Sequence, residues 1–203
     1  MSRSMALVAL ALALGACGTE SETKAPPVES CEDVGPTVVW KRVDALAADL
    51  GRALELDENE LCTELGAAPC ASIHRVALGG SDPLAKALYR PFSSPLATTP
   101  LAIERLVLSA CVTRVDRDAA GDPSVFREMS VADEPLASSG EGSAFAKQAA
   151  SLGRRLLARD LSREEVTALL PLGADADGKP VSARDAAVLL CFTLGTSSEM
   201  SFL

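Results

Sequence analysis

Past residue 37, hydrophobic positions recur mostly at three- and four-residue steps, the spacing of a helix that buries one face. Val39, Val43, Leu46, Leu50 and Leu54 are the clearest run and predict an amphipathic helix over 37–54. Asp57, followed at the third position by Glu60, has the pattern of a capping box and predicts a short helix that stops near Gly66. Residues 70–78 read as helical, with Pro69 at a first helical position and Gly79-Gly80 as the stop. Asp82-Pro83 opens another short helix that closes before Pro91, and a Pro/Ser/Thr loop covers 91–99. Thr99-Pro100 then caps a helix over about 100–115 whose stretch Leu106 to Val112 is apolar nearly all round, which predicts a central place in the core. Residues 116–142 read as irregular, with a short extended piece at Ser124 to Arg127. Helices resume at about 143–159 and 162–170, the second opened by the capping box Ser162-Arg-Glu-Glu165. Ser182-Ala-Arg-Asp185 opens the last, running to about Leu194 and again apolar on all sides from Ala186 to Phe192. Strand signals are few. The fold class expected is all-α: a single irregular domain of about six to eight helices with long loops.

The N-terminal end follows a different pattern. Arg3 is a short positive segment, and Met5 to Leu14 is an uncharged apolar run. At about ten residues it is half of what a bilayer span requires, but it suits the core of a secretory signal. Leu14-Gly15-Ala16-Cys17 then closely resembles the lipobox of bacterial lipoprotein precursors. The resemblance covers only the signal region. It implies that residues 1–16 are removed and that Cys17 is acylated on sulfur and on its new amino group. Two or more acyl chains hold a protein firmly to a membrane, where one does not. In enteric bacteria an Asp after the lipidated cysteine favours retention in the inner membrane. Gly18 stands there in this chain, so the family rule points to the outer membrane. The alternative is an ordinary signal peptide cut near Ala16 that leaves Cys17 a plain thiol. Residues 17–35 are polar and aperiodic and read as a tether, with the helical domain over 36–203.

Charge narrows the partners. The chain carries 19 basic and 28 acidic residues, a net −9. Arg3 is the one charge in residues 1–16, so what remains after their removal is more negative still. That argues against nucleic acid and gives no general electrostatic help on anionic lipid. Aromatic residues make up 3% of the chain, which disfavours the stacking platforms of polysaccharide sites.

An exported chain meets oxidising conditions, so Cys31, Cys62, Cys70, Cys111 and Cys191 are candidates for disulfides. Their odd number leaves at least one over. Cys62–Cys70 is the favoured local pair, across the turn-forming Gly66-Ala-Ala-Pro69. Cys111 and Cys191 are the favoured long-range pair, or else two buried thiols behaving as small hydrophobes. Each is preceded by an Arg/acidic pair and followed two residues on by Thr113 or Thr193, an echo too slight to establish a repeat.

Candidate chemistry is sparse. His74 is the only histidine, so a Ser or Cys nucleophile would need it as general base. Cys62, Cys70 and His74 lack the paired short spacings of a zinc site, and no haem-attachment motif is present. Asp116, Asp118 and Asp122 around Gly121, and Asp175 and Asp177 before Gly178, faintly suggest calcium loops, although Asp and Gly also simply make turns. Glu55, Asp57, Glu58, Glu60 and Glu64 form an acidic cluster that reads as a solvated face or a site for a basic partner. The function expected is a lipid-anchored cell-envelope protein whose domain is a structural or protein-interaction module, with an envelope protein as partner and no cofactor implied. The alternatives are a lipid-anchored hydrolase centred on His74 and a small-ligand or Ca²⁺ binder using the Asp-rich loops.

Overall fold

Val43 starts the first helix, not the residues before it. The computed structural model describes residues 39–121 and 123–202. The signal segment, Cys17, the tether, Cys31 and Asp122 lie outside them. Helix α1 (Val43–Leu54) buries Val43, Leu46, Leu50, Ala53 and Leu54, the stripe that its spacing predicts. The periodic run to its N-terminal side does not extend the helix. Val39 is 51% exposed, Trp40 bridges Phe202, and Lys41 donates its N–H to the Ser201 carbonyl at 2.9 Å. Pairing with the other end of the chain supplies the backbone bonds that helix would have supplied.

Helix α2 (Glu58–Leu61) carries the full capping box: Asp57 accepts from the Glu60 N–H, and the Glu60 carboxylate accepts from the Asp57 N–H at 2.9 Å. A two-stranded hairpin follows, β1 (Thr63–Glu64) and β2 (Ala68–Pro69), paired Thr63 with Pro69 and Glu64 with Ala68. Helix α3 (Cys70–Ile73) is shorter than its sequence predicts, and turns carry the chain to Gly79. Gly79 sits at φ +80 beneath Trp40, where an added Cβ would lie 2.6 Å from the indole ring. Helix α4 (Pro83–Lys86) is a single turn capped by Asp82.

Helix α5 (Thr99–Ala120) is the longest. Thr99 is not its cap. The hydroxyl donates to the Ala77 carbonyl at 2.6 Å and accepts from the Leu96 N–H, which fastens the helix start to the preceding loop. The helix also runs five residues past its expected end, through Asp116 and Asp118. Helices α6 (Ala144–Leu157), α7 (Arg163–Leu169) and α8 (Ala183–Gly195) begin on the Ser143, Ser162 and Ser182 hydroxyls. A 3₁₀ turn at Leu170–Gly173 follows α7, and a short α9 (Ser198–Ser201) closes the chain. The molecule is therefore mostly helical, with nine α-helices and one hairpin among the described residues. Ser124 to Arg127 is not extended strand but a bent loop.

The core lies where α5 packs on α8, flanked by α1 and α6. Three contacts set the α5–α8 pairing: Asp116 with Arg184 at 2.8 Å, the Cys111–Cys191 disulfide, and Val107 against Gly195. As one number falls the other rises, so the helices run antiparallel. Neither is wrapped on all sides: Leu101 and Leu108 of α5 and Leu189 of α8 stay 61%, 45% and 42% exposed.

Candidate functional site

His74 follows α3, and its Nε2 lies 3.2 Å from Oε2 and 3.3 Å from Oε1 of Glu64 on β1. A carboxylate only accepts, so the ring presents its Nε2–H. Arg105 of α5 closes on the same carboxylate at 3.2 Å. The hairpin positions the Glu64 carboxylate between the two. Its two ends are held by the Cys62–Cys70 disulfide, with Cα atoms 5.3 Å apart, and by the Cys70 N–H donating to the Cys62 carbonyl. The imidazole–carboxylate pair has the geometry of a base and its orienter. Among the described residues, no Ser, Thr or Cys side chain is hydrogen-bonded to the ring to complete a nucleophilic set. All four described cysteines are in disulfides, Cys62–Cys70 and Cys111–Cys191. The ligand atoms of Cys62, Glu64 and Cys70 lie within 4.8 Å of one another, but two sulfurs bonded to each other offer no thiolate to a metal.

The Asp-rich stretches are bound into the fold. Asp118 is buried, and its carboxylate accepts from Arg114 at 2.6 Å and from the N–H groups of Ser124, Val125 and Phe126 at 3.1, 3.1 and 2.7 Å. Four donors occupy the directions in which a cation would be held. Asp116 pairs with Arg184. In the second stretch, Asp175 Oδ1 accepts from the Asp177 and Lys179 N–H groups at 2.9 and 2.8 Å, while Gly178 takes φ +76. This is an Asx turn, closed by the Ala174–Pro180 bridge.

Nor do the five acids of 55–64 form one face. Glu55 pairs with Arg155 at 2.9 Å, Glu60 with Arg117, and Glu64 with His74 and Arg105. The Arg117 guanidinium and the Asp57 N–H hold the Glu60 carboxyl below the usual carboxylate range. A comparable clamp joins the C-terminal part of the fold. Arg159 binds Glu165 at 2.6 Å and Glu199 at 2.8 Å. Arg159, helped by the Ser162 N–H, holds the Glu165 carboxyl down to about 2.

Two features escaped sequence reasoning. Arg114 and Asp118 stand at the i,i+4 spacing of an ion pair, a signal visible in the sequence but overshadowed by the calcium-loop reading. Gln148 is fully buried on α6. Its Oε1 accepts from the Glu128 N–H at 3.0 Å, and its Nε2 donates to the Val125 carbonyl at 3.1 Å. No local pattern marks it.

No helix among the described residues is long and apolar enough to cross a membrane. Compared with protein families, curated proteins and solved structures, the chain finds no match in any of the three.

Proposed function

We propose that this chain is a lipid-anchored protein of the bacterial cell envelope, held at the outer membrane through Cys17, whose all-α domain is a structural or protein-interaction module without turnover of its own. The observation that carries the reading is the Leu14-Gly15-Ala16-Cys17 sequence at the end of a charge-free apolar run. The two disulfides suit it, because such bonds persist in oxidising compartments. Three of the five acids of 55–64, Glu55, Glu60 and Glu64, and Asp116 pair with basic residues of other elements, and Asp118 holds a loop to the end of α5, which favours a scaffold over a reaction centre.

The test is purification of the native protein from membranes, with intact mass and co-purifying proteins measured together. An acylated Cys17 and a stoichiometric partner support the proposal. A mass that places a bare thiol at Cys17 removes the anchor. Esterase or peptidase turnover that disappears in His74→Ala removes the non-catalytic module and moves the assignment to the Glu64–His74 pair.

A further inference from the structure

The Asp82–Leu88 bridge closes a small knuckle at the start of the loop that leads into α5. The two residues exchange both backbone hydrogen bonds, at 3.0 and 3.1 Å, and Asp82 caps the enclosed turn through the Ala85 N–H. The turn and the residues just after it expose large apolar side chains to solvent. Leu84 is 98% exposed, Tyr89 77% and Phe92 43%. Interspersed are Lys86 and Arg90, both exposed, and neither is in an ion pair among the described residues. In a chain of net charge −9, most described arginines are paired to acids; Arg90 is not, and Lys86, like Lys147 and Lys179, is in no ion pair among the described residues. The one acid of the segment 81–98 is Asp82, which is committed to its cap.

We propose that residues 83–92 dock on an anionic bilayer surface, with Leu84, Tyr89 and Phe92 entering the headgroup region and Lys86 and Arg90 meeting its phosphates. Amphipathic aromatics settle at the membrane–water interface, and apolar side chains beside cations are the chemistry of interfacial binding. Each cation near such a surface contributes about fivefold in partitioning. Placement agrees with the charge. Trp40 rests on Gly79 just ahead of the knuckle, and Trp40 and Pro95 line one cleft of about 300 Å³, so both ends of the loop lie beside the start of the described chain. On the lipid-anchor reading, acyl chains at Cys17 keep the domain near a membrane, and the inference uses the anchor for proximity alone.

Hydrogen exchange of the full chain, read peptide by peptide on vesicles, tests it. On phosphatidylglycerol/phosphatidylethanolamine vesicles, amides of 84–92 should slow by about tenfold, with little change on pure phosphatidylcholine. Leu84→Ser with Tyr89→Ser and Phe92→Ser should abolish the slowing, as should Lys86→Glu with Arg90→Glu. All five side chains are exposed, so the variants should keep the parent Tm. Unslowed amides on anionic vesicles that carry the chain overturn the inference and leave the anchor standing. So does protection that appears only when an envelope protein is added, which would make the loop a protein interface. Protection in a chain whose Cys17 is not acylated supports the docking and removes the anchor.

Discussion

The carboxylate of Asp118, at the end of α5, accepts the backbone N–H of Phe126 at 2.7 Å and with it anchors a loop eight residues further along the chain. Val125 and Phe126 are thereby plugged into the core, and Gln148 and Arg155 hold the same loop from α6 through the Val125 and Ser124 carbonyls. Buried polar groups are doing what a strand ladder does elsewhere: they satisfy the backbone of an irregular segment. Removing the carboxylate leaves Arg114 buried without its partner. Asp118→Ala should cost about 3–5 kcal/mol and Gln148→Leu about 1–3 kcal/mol. Urea denaturation measures both. A double variant less destabilised than the sum would show that the two act on one loop.

The disulfides should differ in weight. Cys111–Cys191 closes a sequence separation of 80 and Cys62–Cys70 one of 8. Chain entropy alone puts the first near 4.5 kcal/mol and the second near 2.5 kcal/mol. Thermal melts of Cys111→Ala/Cys191→Ala and Cys62→Ala/Cys70→Ala should show the larger fall in Tm for the long-range pair. The reverse order would mean that the hairpin disulfide carries native-state packing beyond loop closure.

Acid sensitivity follows from Glu165. Arg159 and the Ser162 N–H hold its carboxyl down to about 2 in the fold against an ordinary value of 4.5, a depressed group, so its contribution is complete above pH 4.5 and is lost as pH falls toward 2. The pair with Arg159 is part-exposed, so added salt should shrink the effect. Glu165→Gln should lower Tm above pH 4.5 by a constant amount and converge with the parent below it. Melts between pH 2 and 7 would show this as two curves that meet on the acid side.

The α5–α8 contact depends on one missing side chain. A Cβ at Gly195 would lie 2.6 Å from Val107 Cγ1. Gly195→Ala should therefore destabilise by about 1–3 kcal/mol through overpacking. Val107→Ala in the same chain should recover part of the loss, because it vacates the contested space. Gly121→Ala, where a Cβ meets nothing within 4 Å, serves as the control and should be near neutral.

Much of the helical plan is legible in the sequence, because its causes lie within a few residues. The capping boxes at Asp57/Glu60 and Ser162/Glu165 form from residues three apart and appear as predicted. The buried stripe of α1 follows from its spacing. The two cysteine pairs favoured by turn chemistry and apolar helices are the pairs that the structure joins.

What escaped depends on chain segments that return from far away. Val39 belongs by period to α1, yet the chain there runs beside Phe202 and leaves the helix to begin at Val43. Asp118 looks like a loop acid until Arg114, one turn back, and three N–H groups beyond the helix are placed around it. Glu64 becomes the partner of both His74 and Arg105 only once the hairpin folds back and α5 lies alongside. Periodicity and caps are short-range and can be read off neighbours. Whether a buried polar group is satisfied, and by what, is settled by distant residues brought together in packing, and composition leaves no trace of it.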